Sequence, residues 1–317
     1  MTTALTEEPQ VTTALAARAV GLRKVFGDTV AVDGIDLDVP AGSVLGMLGP
    51  NGSGKTTLIR MLLGLTRPTA GTAELLGHPM PDGAADALPH VGALVEGPGF
   101  HSFLSGRENL RRVAATEPLL ASREIPAAVD AALERVGLAA AADRRFRGYS
   151  LGMKQRLGLA SALLIPRRLV VLDEPTNGLD PAGTRDVRGI IAELHAAGAT
   201  VVLSSHLLAE VEATCTHVAV LQTGSLVATG ELSTLLDSGS GGLVVATPDV
   251  DLALRTLREA GATAYRAEGA EPAVVVRDGP PTPDVVALLV RAGVAVHEAR
   301  RTRANLEELF ARLTEET

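Results

Sequence analysis

The nine residues Gly49-Pro50-Asn51-Gly52-Ser53-Gly54-Lys55-Thr56-Thr57 constrain this chain more than any other stretch. They match the phosphate-binding pattern G-x-x-x-x-G-K-[ST] at every fixed position. The apolar run Ser43–Leu48 before them suits a buried strand, and Thr57–Leu63 after them reads as a helix. That is the strand–loop–helix setting the pattern requires. Glycines let backbone wrap a phosphate chain, and successive N–H groups at a helix N-terminus face the anion. Lys55 then reaches the β- and γ-phosphates, and the Thr56 hydroxyl is a ligand for Mg²⁺.

The 317 residues suffice for one large domain and a smaller one. Trp is absent and only two Tyr and five Phe occur, so Ala, Val and Leu must build the core. The formal charge of −8, without a strong basic block, argues against nucleic acid as a partner. Cys215 stands alone, which excludes an intrachain disulfide and fits a reducing compartment. No apolar run reaches the length of a membrane span. Glu7 and Glu8, with no basic start or apolar segment, do not make a signal peptide. These features predict a soluble, cytoplasmic protein.

Residues 1–17 read as a loose tail. Ala19–Phe26 and Thr29–Val39 alternate apolar and polar residues, predicting an antiparallel strand layer ahead of the phosphate loop. Phe26 at the end of the first strand reads as an edge or core residue, or as an aromatic face for an adenine. His90–Glu96 is an apolar strand ending in a carboxylate, followed by Gly97-Pro98-Gly99. A helical subdomain is expected over about residues 100–165. Within it, Ser150 can cap a helix and Gly152 leaves space near its start, which makes a second anion site or a plain cap.

Arg168–Leu172 is a short apolar strand that delivers Asp173 and Glu174 at its C-terminal end, where open α/β sheets bind ligands. Asp173 suits Mg²⁺ coordination, direct or through water. Strand alternation predicts that Glu174 points elsewhere and polarises a water. Thr200–Ser205 is another buried strand, and His206 ends it on the same sheet edge. A Gly/Ser-rich linker is expected at 236–242. Beyond it, residues 243–317 read strand–helix–strand–strand–helix–strand–helix, whose first six elements follow the ferredoxin-like order.

Gly49–Thr57, Ser150–Gln155, Leu172–Asp180 and His206 occur in this order, and together they resemble the ATP-binding subunit of an ABC transporter. The resemblance covers about residues 18–235. It implies an α/β P-loop NTPase of ABC type: a mixed-sheet core, an antiparallel β layer and a helical subdomain, here with a small α+β domain over 243–317. It implies ATP and Mg²⁺ as cofactors, and ATP hydrolysis coupled to transport. Phe26 takes the adenine-stacking position. Glu96 takes a position usually held by Gln that senses Mg²⁺ and the membrane subunit. Ser150-Leu151-Gly152-Met153 stand for a signature that usually reads Ser-Gly-Gly-Gln. Asp180 lies in a loop that crosses a dimer interface, and His206 contacts the γ-phosphate. Glu96 and the variant signature are similar to those of bacterial drug, antibiotic and lantibiotic exporter ATPases.

The implied partners are an integral-membrane permease and a second copy, head to tail, with ATP sandwiched between them. The implied location is the inner face of the cell membrane, reached through the permease. Two other readings stay open: a soluble ABC ATPase without a permease, and an importer subunit.

Overall fold

A computed structural model describes residues 14–96, 99–238, 242–267, 271–301 and 306–315. In chain order the elements begin β1 (Leu15–Phe26), β2 (Thr29–Pro40), β3 (Val44–Leu48), α1 (Lys55–Leu62), β4 (Ala70–Leu75), β5 (His78–Met80), α2 (Ala84–Ala87) and β6 (Val91–Leu94). The helical subdomain follows, with α3 (Gly106–Ala114), α4 (Ile125–Arg135) and α5 (Leu151–Ala162). Then come β7 (Leu169–Leu172), α6 (Pro181–Ala196), β8 (Thr200–Ser205), α7 (Leu208–Thr214), β9 (His217–Gln222), β10 (Ser225–Glu231) and α8 (Leu232–Ser238). The rest is β11 (Leu243–Ala246), α9 (Val250–Glu259), β12 (Thr263–Arg266), β13 (Ala273–Asp278), α10 (Thr282–Arg291), β14 (Glu298–Arg301) and α11 (Leu306–Glu315).

The chain divides into two compact units, Met1–Thr229 and Gly230–Thr317. In the first, a six-stranded sheet runs β10-β9-β3-β8-β7-β6. Its core strands are parallel: β3 pairs with β8 and β9, and β7 pairs with β6 and β8. Parallel strands covered on both faces read as continuous apolar runs, and β3, β7 and β8 are buried throughout. A second sheet, β2-β1-β4-β5, is antiparallel. One core joins the two sheets and α1: Leu22, Ile35 and Leu75 from the antiparallel layer, Leu58 and Ile59 from α1, Met47 and Val202 from the parallel sheet. Burying each such side chain contributes about 1.5–3 kcal/mol. This clamps α1, and with it the phosphate loop, between two sheets.

The tail ends earlier than expected. Leu15 pairs with Pro40, and Ala17 pairs with both Val39 and Leu75. Lying between two partners, β1 is extended by pairing that its own composition does not announce. Residues 1–13 lie outside the described ones. The expected linker also differs, because α8 runs through Ser238 and takes up 236–238; residues 239–241 are outside the described set.

In the second unit the sheet order is β12-β13-β11-β14, with every pair antiparallel, which is the ferredoxin-like topology. Leu243, Val245, Val274 and Val276 pack with Val250, Ala253 and Leu257 of α9 and with Val285 and Leu289 of α10. The last strand begins at Glu298; ahead of it, Val294 N–H bonds Leu289 O and closes the end of α10. Among the described residues no helix is long and apolar enough to cross a membrane.

Candidate functional site

The loop between β3 and α1 is a tight backbone wrap. A Cβ at Gly49 would lie 2.3 Å from Leu221 O, and one at Gly54 would lie 2.6 Å from Ala31 O. Gly54 also has φ +103, so only glycine serves there without strain. Lys55 Nζ donates to Gly49 O at 2.7 Å and to Pro50 O at 3.1 Å, spanning the loop. Burial pushes the Lys55 pKa down, and the carboxylates of Glu174 and Asp173 oppose that shift. A cavity of about 360 Å³ opens over the loop, lined by Thr29–Ala31, residues 51–57 and Glu174. The Ser53 hydroxyl is buried beside Gly49, where a Cβ would lie 2.5 Å from Ser53 Oγ, and it has no hydrogen-bond partner.

Asp173 sits just past β7. It accepts from Thr56 Oγ1 at 2.9 Å and from Ser204 Oγ at 2.6 Å. Ser204 Oγ in turn accepts from Glu174 N–H at 2.9 Å. Glu174 Oε2 is 2.9 Å from His206 Nδ1. The five residues thus form one hydrogen-bonded ladder from α1 across β7 to the end of β8. Strand alternation does not separate the two acids as expected. The strand ends at Leu172, and Glu174 turns away because its backbone is left-handed, at φ +48. Non-glycine residues in that region are uncommon and cluster at functional sites.

A family model of ABC transporters matches residues 32–177. The chain is 38% identical over 295 residues to the Nod factor export ATP-binding protein I of Cupriavidus metallidurans, covering 92% of this chain and 95% of that one. The chain belongs to the family of ABC transporter ATP-binding proteins. Other members include the Bacitracin transport ATP-binding protein BcrA of Enterococcus faecalis, 42% identical over 68% of each chain. The uncharacterized ABC transporter ATP-binding protein YdbJ of Bacillus subtilis (strain 168) is 44% identical, over 65% of this chain and 66% of that one. These last two matches thus span about two thirds of each relative's length. Among solved structures, cbiO1 of Clostridium perfringens, part of the ABC transporter complex cbiONQ, aligns with TM-score 0.61 and 28% identity over 69% of this chain and 89% of that one.

The remaining positions that an ABC ATP-binding protein leads one to inspect lie off the lining of this cavity. Phe26 is half exposed, with Lys24 Nζ 4.9 Å from its ring centroid. Glu96 has φ +56 and forms an ion pair with Arg60. Arg60 stands four residues after Thr56, on the same face of α1. Ser150 Oγ caps α5 by accepting from Met153 N–H at 3.2 Å. Gly152 leaves room beside Leu179, whose Cδ2 a Cβ would meet at 3.1 Å. Asp180 caps α6 by accepting from Gly183 N–H at 2.9 Å.

Four contributors were not anticipated: the Thr29–Ala31 wall, Arg60, Gln155 and Ser204. Ser204 carried a faint signal, being one of three hydroxyl residues, with Thr200 and Ser205, in a strand buried throughout. Gln155 donates to Glu174 O at 3.0 Å, a contact no local pattern announces. Among the described residues no group of three or more His, Cys, Asp or Glu is disposed to hold a metal ion. The hydroxyl and carboxylate of Thr56 and Asp173 nevertheless fit Mg²⁺, which takes few protein oxygens and completes its shell with phosphates and waters.

Proposed function

We propose that this chain binds and hydrolyses ATP to drive a membrane permease, in an exporter of the general kind named for its bacitracin and Nod factor relatives. The observation that carries the reading is the ladder Thr56–Asp173–Ser204–Glu174–His206 closing on the phosphate-loop cavity. Loop amides and Lys55 receive the β- and γ-phosphates. Thr56, with Asp173 beside it, would hold Mg²⁺, which would supply charge neutralisation to the phosphates. Glu174 orients the attacking water, and His206 keeps its carboxylate aimed while facing the γ-phosphate. Positioning and electrostatics of this kind account for most of phosphoryl-transfer catalysis.

Phe26 stacks on the adenine with Lys24 braced behind the ring. Ser150 and Gly152 do not line the cavity of their own chain. That supports a head-to-tail pair in which each α5 start faces the other copy's nucleotide. ATP then glues the pair, hydrolysis releases it, and the permease converts the cycle into transport. Glu96 reports the nucleotide state to the permease. Lys55→Ala is the direct test: ATP turnover by the purified protein is lost and ATP affinity falls strongly. Turnover near that of the unaltered protein would sink the reading.

A further inference from the structure

Leu151 opens α5 and is 63% exposed. It sits beside Ser150, where an anion-binding helix start gains nothing from a large apolar group. What it touches explains it. A Cβ on Gly178 would lie 2.3 Å from Leu151 Cδ2 and 2.8 Å from its Cγ, so the leucine rests on bare Gly178 backbone. The contact is returned, since a Cβ on Gly152 would lie 3.1 Å from Leu179 Cδ2. Each leucine fills the space left by the other segment's glycine. A third link lies one helical turn on, where Gln155 donates to Glu174 O at 3.0 Å. Residues 151 and 155 share one face of α5. That face therefore grips the segment at Glu174 and at Gly178.

The gripped segment carries Glu174, which lines the cavity of its own chain. Its bends are internally held: Asn177 N–H bonds Glu174 O and Leu179 N–H bonds Thr176 O, both at 3.1 Å. A push on Gly178 is thus passed along a braced turn rather than absorbed. We propose that Leu151 is a positioning residue that couples the start of α5 to the Glu174–Asp180 turn of the same chain. A load on Ser150 is then felt at Glu174. The source of that load, a nucleotide on a partner copy, rests on the head-to-tail reading above. The grip itself is intramolecular and does not.

The test is a double-mutant cycle in the full chain, read by steady-state ATP hydrolysis and by amide hydrogen exchange. Leu151→Ala lowers kcat roughly 3- to 10-fold, the range of coupling expected of residues in contact, and leaves KM for ATP within about two-fold. Leu151→Met, which conserves volume, recovers most of the loss. The amides of Asn177 and Leu179 exchange faster in Leu151→Ala. Gly178→Ala places a methyl against Leu151, and its effect on kcat is smaller in the Leu151→Ala background than alone. Equal effects of Gly178→Ala in both backgrounds, or unchanged exchange at Asn177 and Leu179, would overturn the proposal. If instead these couplings appear while a Glu174→Gln protein that binds ATP forms no dimer, the head-to-tail reading fails and the grip stands.

Discussion

Thr56 Oγ1 donates a 2.9 Å hydrogen bond to Asp173 Oδ2, tying the first turn of α1 to the end of β7 across 117 positions of sequence. The carboxylate's other oxygen is held by Ser204 at 2.6 Å, so Asp173 has one orientation, facing the helix start. An amide there cannot present two acceptor oxygens. Asp173→Asn is therefore expected to cut Mg²⁺-dependent turnover by about 10²-fold or more, the several kcal/mol a metal supplies to charge stabilisation. Nucleotide binding in the presence of EDTA stays, because the loop amides and Lys55 are untouched. Equilibrium binding of a fluorescent nucleotide, with and without Mg²⁺, separates the two effects.

Glu96 forms an ion pair with Arg60 of α1, which offsets the charge of its carboxylate. The pair is well exposed, with side chains at 34% and 55%, so it contributes at most about 1 kcal/mol to stability. Glu96→Gln should keep ATP hydrolysis within about two-fold, since the change is one of charge at a screened site. Glu96→Ala should lower transport more than ATP affinity. Normal transport in cells by the Ala variant would reduce Glu96 to a loop carboxylate.

Cys215 is enclosed by apolar neighbours, and burial pushes its thiol up to about 12. Between roughly pH 9 and 12 the unfolded chain loses this proton while the folded chain keeps it. Its contribution to stability is thus intact below about pH 9 and declines as pH rises through that window. Denaturation midpoints of the parent and of Cys215→Ala, compared at pH 8 and pH 10, should converge at the higher pH. The native thiol should also ignore a thiol reagent at pH 8 and react once urea unfolds the chain.

How legible all this is in the sequence depends on whether a residue's neighbours are local. The phosphate loop is readable because its geometry is made by nine consecutive residues. Asp173 and His206 are readable as ends of apolar strands, since parallel strands in one sheet deliver their C-terminal ends to one edge. Their order of contact is not readable. Ser204 bridges Asp173 and Glu174 across about thirty positions, and no periodicity encodes that. The left-handed turn at Glu174 is likewise invisible, because its residue type carries no glycine-like signal. In the second unit the element order is visible, but the bounds of β14 are not, because Glu298–Arg301 is exposed and polar and becomes a strand through its pairing with β11.

Glu174 offers the sharpest test of how the site works. Its carboxylate lines the cavity, its amide N–H is fixed by Ser204 and its carbonyl by Gln155. Only the side chain is free to meet a water, and His206 Nδ1 restrains that from one side. Glu174→Gln keeps the size and can keep the contact to His206, but it removes the negative charge. Hydrolysis should slow by at least about 10²-fold, the lower end for a lost general base. ATP binding should persist, because no phosphate contact of the loop is changed. If ATP bridges two copies, the blocked protein accumulates as a dimer that size-exclusion chromatography with light scattering detects only with ATP. Ser150→Arg in the same background should abolish that dimer by filling the helix start with a bulky side chain. Each single chain should still bind ATP, since Ser150 does not line its own cavity. A Glu174→Gln protein that stays monomeric at saturating ATP, both alone and co-purified with its permease, would rule out the paired arrangement.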